Sequence, residues 1–210
     1  GDREGLVTLL LYIVRHQIGF PTITDEVIRP ALVKIGDLWE KGEIDINQEH
    51  SASHAVSEAM IRIMPSLHRK PANGFSILCA CPEGEYHEIG LKGLAYSFET
   101  EGWKVHYIGA NTPSSSLILF IKTFKPELVA LSFTIVNDKK KLFGEFANIA
   151  KHIHSYGGKF IAGGFYSGNY TEKEIHSDQI ILSSTEAIAF ARSQFNLQPG
   201  PKKGAKSNNN

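Results

Sequence analysis

Apolar residues recur at helical spacing over the first third of the chain, and then the period changes. Leu6, Leu9, Leu10 and Ile13 make one stripe, ended by Gly19 and Pro21. Thr24 ahead of Asp25 and Glu26 reads as a helix start, a hydroxyl able to cap and two carboxylates at the positive end of the dipole. Val27, Leu32, Ile35, Leu38 and Trp39 follow at mixed three- and four-residue steps, and Gly42 stops the run. Pro30 falls inside that pattern, where it either kinks the helix or marks its true start. Between Ile46 and Met64, residues Ala52, Ala55, Val56, Ala59, Met60 and Ile63 form another inward face, closed by Pro65. These segments predict a small bundle of three or four helices over residues 1–70.

From Gly74 onward, apolar strands alternate with amphipathic helices. Phe75–Cys81 precedes helix His87–Glu101, Lys104–Ile108 precedes Ser114–Phe124, and Leu128–Thr134 precedes Lys139–Tyr156. Lys159–Ala162 and Gln179–Leu182 are two more strands, the last followed by helix Thr185–Phe195. Such alternation argues for βαβ units and a parallel sheet. The predicted fold class is therefore α/β, an N-terminal helical-bundle cap joined to a C-terminal Rossmann-type sheet over residues 74–197. Five strands suggest the flavodoxin-like order 2-1-3-4-5, with a ligand crevice where strands one and three diverge. Residues 198–210 are rich in Pro, Gly, Lys and Asn and predict a disordered tail. The chain begins at Gly1 rather than Met, as a fragment or a trimmed product would.

Composition changes this picture little. At 42% hydrophobic and 10% aromatic residues, there is enough apolar surface for a real core. Lys and Arg number 22, as do Asp and Glu, so the chain carries no basic footprint for direct nucleic-acid contact. Cys79 and Cys81 lie two apart on a predicted strand and point to one face; reduced core thiols of a cytoplasmic protein fit that spacing better than a disulfide or zinc knuckle. The run Leu6–Val14 is too short to span a bilayer and follows no basic leader, so no membrane partner is expected.

Candidate chemistry gathers at the predicted strand ends. Pro82–Gly90 reads P-E-G-E-Y-H-E-I-G, directly after the first strand. His87 on that turn can present a ring nitrogen at the carboxyl edge of the sheet, while Glu85 can hold the other nitrogen and fix the tautomer. Gly90 removes a side chain and lets a large flat ligand approach the backbone. Taken locally, His87 is equally well a solvated histidine on a helix-capping turn. Ser132 and Thr134 at the end of strand three, and Gly163 and Gly164 at the end of strand four, should converge with it on one edge. In the helical half, His50, His54 and Glu58 share a helix face that resembles half of a zinc site. The remaining histidines read as surface residues, and Lys139, Lys140 and Lys141 as a solvated helix start.

The motifs Glu85-Tyr86-His87-Glu88-Ile89-Gly90, Ser132-Phe133-Thr134 and Gly163-Gly164 together resemble those of the cobalamin-binding domains, in that family's order. The resemblance implies that His87 is the lower axial ligand of cobalt, replacing the cofactor's own benzimidazole. It also counts Glu85, Tyr86, Gly90, Ser132, Thr134, Gly163 and Gly164 among the cofactor-binding residues. The displaced nucleotide tail would lie in the groove between strands one and three. Glu85 stands where the family more often has Asp. In the helical half, Trp39 is followed by nine residues and then Glu49-His50, a pattern similar to that of the CarH-type, MerR-family adenosylcobalamin photoreceptor regulators. That likeness places Trp39, Glu49 and His50 around a 5'-deoxyadenosyl upper ligand; without it Trp39 is a bundle-core tryptophan. Glu40 follows Trp39 where well-known members of this group carry a histidine.

What the resemblance implies is a light-sensing adenosylcobalamin module of a transcriptional regulator, not an enzyme, with loss of the upper ligand as its signal. Such a module self-associates and reaches DNA only through an N-terminal domain outside this chain. The alternative is a corrinoid carrier of a methyltransferase system, holding methylcobalamin. A cofactor-free flavodoxin-like interaction domain is the third reading.

Overall fold

In the computed structural model, which describes residues 2–197, the carboxylate of Asp2 accepts the Gly5 N–H at 2.8 Å and caps helix α1 (Arg3–Arg15). Helix α2 (Phe20–Ile23) starts on Gly19 with Pro21 in its first turn. It runs without a break through a π-helical turn, Thr24–Ile28, into α3 (Arg29–Glu40). The expected helix start at Thr24 is therefore wrong. Proline fits the first turn, where its missing N–H has no partner to lose, so the helix begins at Phe20. Buried Thr24 spends its hydroxyl on the Phe20 carbonyl, 3.1 Å away. The wide turn carries the helix up to Pro30, which opens the α-helical segment that follows. Helix α4 (Ile46–Ile63) is started by a capping box in which Asp45 and Gln48 satisfy each other's backbone N–H groups.

Val7 and Leu10 of α1 pack with Phe20, Ile23, Ile28, Val56, Ala59, Met60 and Ile63 as the bundle core. Leu9, predicted inward, is exposed, because α4 covers the Val7–Leu10 side of the helix. Helix α3 buries none of its residues fully, although its pattern reads as an inward face. Trp39 near its end is 47% exposed, which excludes the bundle-core reading of that indole.

The sheet consists of β1 (Ser76–Pro82), β2 (Lys104–Thr112), β3 (Leu128–Ser132), β4 (Lys159–Gly163) and β5 (Gln179–Ile181). All neighbours are parallel and the order is β2-β1-β3-β4-β5, as the alternation predicts. Helices α5 (Ile89–Thr100), α6 (Ser114–Phe124), α7 (Lys139–His154) and α9 (Ser184–Gln194) connect and cover the strands. A short α8 (Glu172–Ile175) lies in the β4–β5 connection, which the sequence pattern leaves unassigned. One face of the sheet packs Leu78, Ala80, Val129, Leu131 and Phe160 under α6 and α7. The other packs Ile77, Cys79, Cys81, Ala130 and Ile161 under α5 and α9. Both cysteines are free and buried together, and burial pushes the Cys81 thiol up to about 12.

Strand β3 ends at Ser132, paired with Gly163, rather than at Thr134, so Thr134 belongs to the loop beyond the sheet. The predicted disordered tail, 198–210, lies outside the described residues. No helix among the described residues is long and apolar enough to cross a membrane.

Candidate functional site

The site is organised by Glu85, a carboxylate only 4% exposed in the β1–α5 loop. Its Oε1 accepts the backbone N–H of His87 at 2.8 Å and the ring Nδ1–H at 2.6 Å. Its Oε2 accepts the backbone N–H of Thr134 and, at 3.1 Å, that of Ile135. Four donors saturate the group. Burial pushes its acidity toward the neutral form, but these bonds outweigh burial and hold the carboxyl below the usual range. An ionised carboxylate only accepts, so in the neutral imidazole of His87 the proton sits on Nδ1 and the lone pair on Nε2. The side chain is 59% exposed, so this lone pair is open to a ligand.

The loop is held from β2 as well. Asn111, in the left-handed region at φ 51°, donates its backbone N–H to the Glu85 carbonyl at 2.8 Å. Its side-chain oxygen accepts the Gly84 N–H at the same distance. Sequence reasoning missed Asn111; its signal is the turn Ala110-Asn111-Thr112-Pro113 at a strand end.

The structure thus joins His87 and the backbone of Thr134 through Glu85, and sets Ser132 beside Gly163 by register. The glycine pair has a structural account of its own. A Cβ on Gly163 would stand 2.8 Å from the Ile181 carbonyl oxygen, and one on Gly164, at φ 120°, would stand 1.8 Å from that of Phe133. Gly90 differs, since a Cβ there would meet no protein atom within 4 Å. Tyr86, Ile135, Phe165 and Tyr166 are large and exposed, and they follow the ends of β1, β3 and β4. Phe165 and Tyr166 pack edge-on against each other, and all four leave apolar surface exposed at the carboxyl edge of the sheet. The aromatic pair directly after Gly163-Gly164 was the available signal for Phe165 and Tyr166.

On the cap side, Glu49 and His50 occupy the first turn of α4. Glu49 accepts from Nδ1 of His50 through Oε2 and from the Ser53 hydroxyl, at 2.6 Å, through Oε1. Partial burial raises the Glu49 carboxyl, but these two bonds and the fields of His50 and His87 leave it lowered. Glu58 is engaged by Arg3 and Arg62 rather than by the histidines. Among the described residues, no group of three or more His, Cys, Asp and Glu is arranged to hold a metal ion, which removes the zinc reading.

These residues fit a corrinoid: an exposed imidazole held through Nδ1 alone, open space at Gly90, and an exposed indole on the cap. Comparison with known proteins agrees. A B12 binding domain model matches residues 75–190, and a second B12 binding domain model matches residues 1–63. The chain is 37% identical over 162 residues to the HTH-type transcriptional repressor CarA of Myxococcus xanthus, covering 75% of this chain and 54% of that protein. It is 33% identical over 110 residues to the HTH-type transcriptional repressor CarH of the same organism, covering 51% and 36%. The chain thus spans about half the length of CarA. The monomethylamine corrinoid protein of Methanosarcina barkeri has the same fold, with a TM-score of 0.72 over 91% of this chain and 95% of that one at 18% identity.

Proposed function

We propose that this chain, which belongs to the B12 binding domain family, holds adenosylcobalamin between its helical cap and the carboxyl edge of its sheet and serves as the light-sensing module of a transcriptional regulator. Bound adenosylcobalamin supplies a cobalt–carbon bond that visible light breaks, and that loss is the signal assigned here. The observation that carries the reading is the Glu85–His87 pair. By keeping the proton on Nδ1, Glu85 leaves Nε2 of His87 as the lower cobalt ligand, and imidazole suits that metal.

The cap over residues 1–70 covers the upper face, and residues 74–197 form the cobalamin-binding α/β domain. The Trp39 indole packs on the adenosyl group and excludes water. Glu49 and His50 hydrogen-bond ribose or adenine after giving up their mutual contact. Tyr86, Gly90, Ser132, Thr134, Gly163 and Gly164 line the path of the corrin and its nucleotide tail. A carboxylate is a poorer ligand for low-spin cobalt than imidazole, so with Glu40 in the histidine position the upper site would be left to His50, His54 or water. Self-association then carries the signal, and DNA is contacted by a domain outside this chain. The resemblance to two repressors over most of the described residues supports that role.

The test is absorption spectroscopy of protein loaded with adenosylcobalamin in the dark. A bound spectrum that changes under green light is expected. No corrin retained through gel filtration would overturn the reading. Stable binding without any light response would favour a methyl-carrying corrinoid protein or a light-blind sensor instead.

A further inference from the structure

Helix α5 meets the cap along one stripe of residues, Ile89, Lys92, Gly93 and Tyr96, at helical spacing. Ile89 and Tyr96 join the bundle core, and a Cβ on Gly93 would stand 2.7 Å from the Thr24 methyl, so the helix and the cap lie close. Lys92 is the one charge in this stripe, and its side chain is only 15% exposed. Its ammonium donates to the Ser57 hydroxyl of α4 at 3.0 Å and to Oε1 of Glu88 at 3.3 Å.

Both partners lead to the site. Glu88 follows His87 directly, and its Oε2 accepts the Tyr107 hydroxyl at 2.9 Å and the Ala110 N–H at 3.2 Å. It fits there because β2 bulges opposite Cys79 and Ala80, and because a Cβ on Gly109 would stand 2.8 Å from that oxygen. Ser57 lies on the same ridge of α4 as Ser53 and Glu49, at four-residue steps, and Ser53 holds Glu49. Side-chain bonds therefore run from the loop of His87 through Glu88 and Lys92 to Ser57, on the helix that also carries Glu49. A paired ammonium in an otherwise apolar contact fixes register more than it adds stability.

We infer that Lys92 is a positioning residue: by bolting α4 to the loop that carries His87, it sets the height of the upper-face pocket and selects a large adenosyl substituent over a methyl group. The inference rests on His87 and Glu49 flanking the cofactor, as proposed above. Asp25 and Arg29 still tie the other end of the cap to Ser184, Thr185 and Leu182, so without the bolt it is the α4 end that shifts on the apolar remainder of the stripe, and the pocket loses its fixed height. Lys92 touches neither face of the cofactor, so the lower ligand is untouched.

Dark titration of the protein with adenosylcobalamin and methylcobalamin tests this. The wild type is expected to favour the adenosyl form, and Lys92→Met to reduce that preference about tenfold, the effect of losing hydrogen bonds to a charged group. Methylcobalamin affinity and the histidine-bound spectrum should stay as they were, and Lys92→Arg should keep the preference. A preference unchanged in Lys92→Met, both affinities falling together, or a wild type with no preference would overturn the inference. Should Lys92→Met fail to fold, Ser57→Ala decides: the preference must fall there too. His87→Ala separates the two claims. If it loses the histidine-bound spectrum while Lys92→Met keeps the preference, only the role of Lys92 fails; if the spectrum survives, the reading of the site fails.

Discussion

The Glu85 carboxylate grips His87 twice, through the backbone N–H at 2.8 Å and the ring Nδ1–H at 2.6 Å. One residue therefore fixes the loop conformation, the ring orientation and the tautomer. Its other oxygen ties the same loop to the backbone of Thr134 and Ile135 beyond β3. The histidine is thus set in place before any ligand arrives.

Glu85→Gln removes the charge and leaves an amide that cannot accept at both ends. Loosening the partner of a metal-bound histidine typically costs 10–100-fold in metal affinity. Cobalamin binding by equilibrium titration should weaken by about that factor, with part of the bound spectrum lacking the histidine ligand.

The same carboxylate makes stability depend on pH. Its folded-state pKa lies below the ordinary value of 4.5, so its contribution is complete above that pH and is lost as the pH falls through the folded value. Urea denaturation should show wild type losing stability below about pH 4.5 more steeply than Glu85→Gln. Parallel curves would count against a structural role for the ionised form.

The glycines separate packing from ligand contact. Gly164→Ala forces a Cβ into the Phe133 carbonyl at positive φ, and should cost more than about 2 kcal/mol of stability. Gly90→Ala meets nothing in the protein and sits in the first turn of α5, so the melting temperature should hold or rise slightly. Cobalamin affinity should nevertheless fall in Gly90→Ala, because the added methyl occupies space that packing leaves open.

Trp39, already 47% exposed, contributes little to the bundle core. Trp39→Ala should change stability by less than about 1 kcal/mol. It should still narrow the difference in affinity between adenosylcobalamin and methylcobalamin. An unchanged difference would remove the indole from the upper face.

Strand order was legible because parallel strands buried on both faces read as unbroken apolar runs, Phe75–Cys81 above all, each followed by a helix. The core of the site was legible because Glu85, His87 and Gly90 sit within six residues of one another on one turn. What escaped depends on distant partners. Thr24, Asp25 and Glu26 look like a helix start, yet Pro21 opens the helix earlier and Thr24 turns back to Phe20. Leu9 belongs to the apolar pattern but lies on the side that α4 leaves uncovered. Lys92 looks like a solvent-facing charge and is bolted between Glu88 and Ser57. Asn111 braces a loop 26 residues earlier; its own turn is legible in the sequence, but its partner is not.

The central claim is that Nε2 of His87 binds cobalt from below. Electron paramagnetic resonance of bound cobalamin reduced to the cobalt(II) state tests it most directly, because the lower nitrogen splits each cobalt line. Ordinary nitrogen gives triplets. Protein made with nitrogen-15 histidine should give doublets, and His87→Ala labelled in the same way should not. Triplets that persist in the labelled wild type would mean that the nitrogen belongs to the cofactor and would contradict the account.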